Sequence, residues 1–411
     1  MKRLSLKSVT AGVVIGAVLS GSFAFAASNI SKSAYQNVKV TFIGNQLKLT
    51  NAPVAITKQG SKSATTYVPL KESFEAAGFK VTYDSKTATY AITPGSGAPG
   101  GLRGTGGMQG GTGMGPGGAG GFGGAAAVDT SSIKNKWMDV AYATKSAAQK
   151  MDIYLPNTGN GPFPVLVLIH GGAFKGGDKS AELQQLSAAL ERGYAVASVN
   201  YRLSGEAQFP AQINDVKAAI RFLRANATKY NLNGDKMGTW GGSAGGSLSA
   251  LAGTTGEVKE LQDDSLGNAG VSDSVQAVVD WFGPIYFSTM DAQFKALGVT
   301  PRMGTTSSAS SPESQYIGKT VGTAEAEELV KKASPQTYIT KDDPAFFIQH
   351  GTADTNIPIT QSINFSKSLA AELGASKVTY EAIEGAGHGG TQFTTAENLK
   401  KVLDFFDSYL K

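Results

Sequence analysis

Ser243 stands between two glycine pairs in the run TWGGSAGGSLSA, residues 239–250. A serine hydroxyl is a weak nucleophile until a base takes its proton and a third group orients that base. The chain has three histidines to draw on, at 170, 350 and 388. His388 lies in GAGHGG (385–390), a glycine-flanked loop after a strand-like stretch. Asp354 is the only carboxylate of HGTADTNIP (350–358), which also follows a strand-like stretch. The chain order is therefore Ser243, Asp354, His388. These residue types perform acyl transfer. Serine attacks an acyl carbon, histidine takes the hydroxyl proton, and aspartate fixes the imidazole tautomer and stabilises its charge.

Such chemistry also needs donors for the developing oxyanion. Gly241 and Gly245 frame Ser243 in a G-x-S-x-G pattern between a strand and a helix-prone run, as a tight strand-to-helix turn requires. That turn points the Ala244 N–H at the reacting carbonyl. HGGAF (170–174) follows an apolar strand and resembles the HGGG-type oxyanion loop of lipases and esterases. Two N–H groups from Gly171, Gly172 and Ala173 are expected to join that of Ala244. Ala173 replaces a glycine common in that loop, so its methyl is expected to narrow the pocket. His170 and His350 read as loop-organising residues. Asp215 reads as half of a structural ion pair, and Asp178 and Asp280 are the runner-up acids.

Distant residues converge in this way when they sit at the carboxyl ends of strands in one sheet. PVLVLIH (164–170) is a continuous apolar run, as expected of a strand covered on both faces. Further strands are expected at 194–203, 236–241, 275–283, 344–351 and 377–385. Helical spacing appears in 211–229 through Val216, Ile220, Leu223 and Ala227, and in 395–411 through Leu399, Val402, Phe406 and Leu410. Strands alternating with helices predict an α/β fold with a doubly wound, mostly parallel sheet over residues 128–411. The stretch 285–340 interrupts the alternation and is expected to shape the pocket. Its Tyr286, Phe287, Phe294, Met303 and Tyr316 suit an apolar or aromatic acyl group and equally suit a core.

The rest of the chain reads as three further segments. Lys2, Arg3 and Lys7 precede an apolar run ending in AFA at 24–26, the pattern of a signal peptide cleaved after Ala26. Residues 28–94 alternate like a small β-rich or α+β module, with strands at 38–44, 80–84 and 87–92 and a helix at 69–79. Residues 95–127 are dominated by glycine and read as a flexible tether. The formal net charge of +5 is unevenly spread. Residues 28–94 carry eight Lys against three Asp or Glu, whereas residues 128–411 carry 25 Lys or Arg against 29 Asp or Glu. No basic stripe in the large region points to nucleic acid. The chain has no cysteine, which excludes disulfides, thiol nucleophiles and thiolate metal sites, and three histidines leave little for a metal site.

Two family resemblances follow. TTYVPLKESFEAAGFKVTYDSKTATYAI (65–92) is similar to the copper amine oxidase N-terminal-like domain, which is not catalytic. This copy has neither His nor Cys to bind copper. HGGAF, NYRLSGEAQFPAQINDVKAAIRFLRANA, WGGSAGG, ASPQTYITKDDPAFFIQHGTADTNIP and EGAGHGG resemble the α/β-hydrolase esterases related to hormone-sensitive lipase. They are most similar to the group typified by bifunctional feruloyl and acetyl-xylan esterases. That resemblance implies carboxylic ester hydrolysis with no metal or organic cofactor. It makes the expected substrate a small ester or an acetyl or feruloyl ester on a polysaccharide. The expected product of the gene is a secreted enzyme with no membrane contact after signal cleavage, and residues 28–94 are expected to hold a cell-wall or matrix polymer. The competing readings are a serine peptidase of the prolyl oligopeptidase type and a non-catalytic surface-binding homologue. The region of 67 residues ahead of the tether is too small for the propeller of the former.

Overall fold

The computed structural model describes residues 128–411, apart from 182, together with seven strands between 30 and 94. The chain divides into two compact units, Met1–Gly115 and Pro116–Lys411. In the first, Ile30–Tyr35, Val54–Lys58 and Ala64–Tyr67 form an antiparallel sheet, and Phe79–Asp84 pairs antiparallel with Thr89–Pro94, the hairpin the alternation predicts. Of the strand expected at 38–44, Thr41–Phe42 is extended and pairs with Asn45–Gln46. The signal-peptide stretch, the helix at 69–79 apart from Phe79, and the glycine tether lie outside the described residues.

The second unit carries the chemistry. Its strands are β1 (Lys136–Ala141), β2 (Lys150–Tyr154), β3 (Phe163–Ile169), β4 (Ala195–Val199), β5 (Leu232–Gly242), β6 (Ala277–Trp281), β7 (Ala345–Gly351) and β8 (Val378–Ile383). They form one sheet in the order β8-β7-β6-β5-β3-β4-β2-β1. β3 to β8 run parallel to one another, and β2 is antiparallel to both β4 and β1 at one end. Its helices are α1 (Leu186–Glu191), α2 (Ala211–Ala225), α3 (Ala244–Thr254), α4 (Met290–Leu297), α5 (Pro312–Ile317), α6 (Ala324–Ala333), α7 (Thr360–Leu373) and α8 (Ala396–Leu410). The expected mostly parallel α/β sheet is the one observed.

The pleat explains the apolar run of β3. Val165, Val167 and Ile169 belong to one core with Ile213, Val216 and Ile220 of α2, Leu248 of α3, and Phe365 and Leu369 of α7. Leu166 and Leu168 point the other way, into a second core with Leu186 of α1 and Val402 and Phe406 of α8. Side chains alternate across a strand, so a strand between two helical layers must be apolar at every position.

α2 also buries polar groups. Asp215 is fully buried and accepts from Gln149 Nε2 at 2.7 Å, Arg202 N at 2.8 Å and the Arg202 guanidinium at 2.8 Å. It is the structural ion pair that the sequence suggests, and it ties the chain after β4 to α2. Removing one partner of such a buried pair strands the other charge. Asp215→Ala is expected to lower the unfolding free energy by about 3 kcal/mol, read by urea denaturation. A loss below about 1 kcal/mol would make this an ordinary surface pair.

Candidate active site

β5 ends and α3 begins with almost no loop between them, and Ser243 is the hinge. Its φ of 57° and ψ of −124° are unusual for a residue with a side chain. Such a conformation costs about 1–3 kcal/mol and needs its surroundings to hold it. Here Ser243 N–H donates to Trp281 O on β6 at 2.8 Å, and Ser247 N–H donates to Ser243 O at 3.0 Å. The glycines decide whether the turn can exist. A Cβ on Gly245 would lie 2.0 Å from Ile169 O of β3, and one on Gly241 would lie 2.4 Å from the Gly245 carbonyl. Backbone therefore packs directly on backbone, with no room for a methyl group.

Ser243 occupies the N-cap of α3. A serine there normally accepts a hydrogen bond from the first turn of its own helix, but this one makes no side-chain cap. Its hydroxyl lies 2.8 Å from His388 Nε2 instead and donates to it. His388 Nδ1–H donates to Asp354 Oδ2 at 2.7 Å. The structure thus brings Ser243, His388 and Asp354 together, from the ends of β5, β8 and β7. Ser243 keeps 8% of its surface open to solvent.

Asp354 is bound on every side. Oδ1 accepts from Asn356 N at 2.7 Å and Ile357 N at 3.0 Å. Oδ2 accepts from His388 and also lies 3.2 Å from His350 Nε2. Burial by itself would raise this carboxyl, but the hydrogen bonds from His350 and His388 outweigh it and hold it well below the usual carboxylate range. It therefore stays ionised beside His388.

His350 is the residue whose part the sequence under-describes. It organises its loop, and it also touches the acid. Ser362 O–H donates to its Nδ1 at 2.7 Å, so the proton sits on Nε2, which donates to Ile357 O at 3.1 Å and faces Asp354. The available signal was its position four residues before Asp354. Phe282 was also unread: its ring meets that of His388 edge-on at 4.8 Å and restricts how the imidazole can turn.

The loop after β3 turns through three successive left-handed residues, Gly172, Ala173 and Phe174, with φ of 111°, 57° and 59°. Ala173 pays for its methyl in backbone strain of about 1–3 kcal/mol, which explains why glycine suits the position better. The loop is braced from both sides. Phe174 is buried and stacks on Tyr316 at 4.0 Å, and Ser204 N–H donates to Phe174 O at 2.7 Å. His170 Nδ1 lies 2.7 Å from Gly171 O, its ring stacks on Tyr201 at 4.3 Å, and burial keeps it neutral. Among the described residues, the N–H groups of Gly172, Ala173 and Ala244 have no acceptor. Gly171 turns its carbonyl to His170 and already has a partner.

The runner-up acids are elsewhere. Asp178 accepts from Ser180 and Asn200 beside the loop after β3. Asp280 lies fully buried on β6, where Oδ1 accepts from Gly283 N at 2.9 Å and shapes the turn that carries Phe282. Of the candidate pocket residues in 285–340, Phe287, Phe294 and Tyr316 are core, and Met303 is exposed. No group of His, Asp and Glu among the described residues has the arrangement of a metal site.

Residues 151–369 match the BD-FAE family model, more than half of the chain. The chain belongs to the BD-FAE family, a group of α/β-hydrolase esterases. Esterase LipC of Mycobacterium tuberculosis is 32% identical over 229 residues, which cover 56% of this chain and 53% of that one. The chain spans about half the length of the curated relatives it matches. A solved truncated form of a carbohydrate esterase from gut microbiota is 35% identical, with a TM-score of 0.62 over 69% of this chain and 99% of that one. A bifunctional GH43-CE protein of Bacteroides eggerthii is 40% identical, with a TM-score of 0.59 over 66% of this chain and 38% of that one. The copper amine oxidase-like resemblance of residues 28–94 has no counterpart among these matches.

Asp280 yields a prediction that depends on pH. Burial pushes its carboxyl up to about 6, against the pull of the Gly283 N–H and His350. Between about pH 4 and pH 6 the folded chain then holds a proton that the unfolded chain releases, so Asp280 costs stability as pH rises through that window. Asp280→Asn removes this dependence. The Tm of the variant relative to the parent should therefore rise from pH 4 to pH 7 in thermal melts. A Tm difference that does not change with pH would mean that Asp280 is ionised in the fold.

Proposed function

We propose that this protein is a serine carboxylic-ester hydrolase in which Ser243 is the nucleophile, His388 the general base and acid, and Asp354 the residue that orients His388. One observation carries the reading: the continuous hydrogen-bonded path from Ser243 Oγ through both nitrogens of His388 to a buried carboxylate. Family membership in a group of esterases supports it.

The path works as follows. Ser243 Oγ attacks the acyl carbon as its proton passes to His388 Nε2, and the imidazolium is stabilised by Asp354. The carbonyl oxygen becomes an oxyanion facing the N–H groups of Ala244, Gly172 and Ala173. Collapse of the tetrahedral species breaks the bond to the alcohol oxygen, which takes the proton from His388. Water then attacks the acyl-serine, His388 takes its proton, and a second collapse frees the acid and restores Ser243. No step requires a metal or organic cofactor.

The substrate class proposed is an acyl ester on a polysaccharide or a small ester. The support is the similarity to proteins described as carbohydrate esterases. The signal-peptide pattern at 1–26 supports export with cleavage after Ala26. Residues 28–94 are proposed as a non-catalytic copper amine oxidase N-terminal-like module that holds anionic wall or matrix polymers, on the strength of eight Lys against three Asp or Glu.

Ser243→Ala is expected to abolish hydrolysis of p-nitrophenyl acetate with the fold intact by circular dichroism. His388→Ala and Asp354→Asn should each cost on the order of 10³-fold or more in kcat, with non-additive losses in combination. Full turnover by a folded Ser243→Ala protein would remove the mechanism. Faster cleavage of an amide than of the ester with the same acyl group would turn the assignment toward a peptidase.

The proposed nucleophile, base, acid and oxyanion donors all lie beyond residue 128. The chain cut to residues 128–411 should therefore keep kcat/KM on a small soluble ester. A loss of about tenfold or more, about 1.4 kcal/mol, in a folded truncation would show that the N-terminal module completes the site.

A further inference from the structure

Between the start of α7 and the segment leading into α4 lies a cleft of about 460 Å³ that none of Ser243, Asp354 or His388 lines. Its volume falls within the range of small-molecule sites, about 300–1,000 Å³. Its lining does not fit that class as a whole. Such sites are mostly apolar with a few polar groups, whereas this one is walled by amides and hydroxyls. Tyr286 and Gln293 lie on one side, Asn364 and Lys367 on the other, and Gln336 and Gln361 complete the wall.

Gln361 makes the floor rigid. It is buried, and its Oε1 accepts from Ile285 N at 2.9 Å and Tyr286 N at 2.6 Å. Its Nε2 donates to Thr289 Oγ1 at 3.0 Å and Gln293 Oε1 at 2.7 Å. Both faces of that amide are thus spent on holding the wall in place. The groups above it are different. Asn364 and Lys367 follow Gln361 on the same side of α7, at steps of three residues, and Gln336 lies on the 3₁₀ turn Pro335–Tyr338. The side chains of Gln336, Asn364 and Lys367 have no hydrogen-bond or ion-pair partner among the described residues, and all three residues are exposed.

We infer that this cleft is a binding site for a neutral saccharide chain. A sugar hydroxyl both donates and accepts, and a side-chain amide offers one of each in a fixed plane, so rows of amides match rows of hydroxyls. Tyr286 adds an apolar ring face, which the C–H face of a pyranose can cover. No carboxylate lines the cleft, and Lys367 is its one cation, too little for a polyanion. The cleft also starts where the site starts. Ile285 lies three residues beyond Phe282, whose ring touches His388, and Gln361 lies four residues beyond Ile357, whose N–H holds Asp354. Two of the segments that wall the cleft therefore follow β6 and β7, the second of which delivers Asp354. That this chain is the alcohol portion of the ester substrate rests on the proposed hydrolase reading. Saccharide binding itself does not.

The test separates the two. Binding of unsubstituted xylohexaose to the full Ser243→Ala chain is measured by titration calorimetry, alongside hexagalacturonate as the anionic probe. Saturable binding of xylohexaose is expected. Combining Gln336→Ala with Asn364→Ala should weaken it about tenfold, the loss of two neutral hydrogen bonds. Hydrogen exchange on the unsubstituted chain with saturating xylohexaose should show protection in residues 285–293 and 360–368. Absence of xylohexaose binding, stronger protection of residues 285–293 and 360–368 by hexagalacturonate than by xylohexaose, undiminished affinity in the folded double variant, or protection confined to residues 28–94 would each overturn the inference. Hydrolysis of p-nitrophenyl acetate by the unsubstituted chain reports on the ester reading alone, so failure of either leaves the other standing.

Discussion

The contact between the Gly245 backbone and the carbonyl of Ile169 sets the terms for everything at the upper edge of the sheet. Helix α3 can start against β3 only because no side chain intervenes there. That contact fixes where the helix begins, and hence that Ser243 must bend with a positive φ. The bend aims the hydroxyl away from the helix it caps and toward His388. The strain is carried by packing rather than by the serine. α3 is buried along its whole length, and the Ser243 N–H is anchored on β6. A flexible loop bearing the same three side chains would have no reason to hold Oγ and Nε2 at hydrogen-bond distance.

The second organising feature is electrostatic. A buried carboxylate is costly unless its lone pairs are occupied, and Asp354 meets this with two backbone N–H groups and two imidazoles. The histidines differ in what else they touch. His350 is fixed between Ser362 and Ile357 and cannot leave. His388 has Ser243 on its far side and 16% of its side-chain surface exposed. One imidazole therefore holds Asp354 in place, while the other links it to Ser243.

The parts legible in the sequence were those with a local cause. The G-x-S-x-G spacing is readable because a steric limit within five residues imposes it. The parallel strands are readable because burial on both faces forces uninterrupted apolar runs, as in β3. β1 and β2 escaped notice for the opposite reason. β1 is a bulged strand at the sheet edge with mixed burial, and β2 contains Asp152, buried against Lys179 across the chain. Pairing with a distant lysine leaves no trace in nearby residues. The aromatic residues of 285–340 were ambiguous because a core and an acyl pocket select the same side chains; three proved to be core. The contact of His350 with Asp354 depends on how the loop after β7 folds back, so its spacing hinted at proximity without giving the role.

β8 is the outermost strand, paired on one side only, and its residues are half-buried or exposed throughout. The loop it delivers carries His388 and is laced to the loop carrying Asp354 through Ala353 N–H to Ala386 O at 2.9 Å and Gly385 N–H to Thr352 Oγ1 at 2.8 Å. Edge strands open by local fluctuation at lower free energy than the sheet interior. His388 is thus mounted on one margin of the sheet, and the Asp354 loop is fastened to it. Opening of that margin parts His388 from Ser243 while β3 and β5 remain folded. On the proposed reading, heat inactivation tracks the fraying of one border strand and runs ahead of global melting.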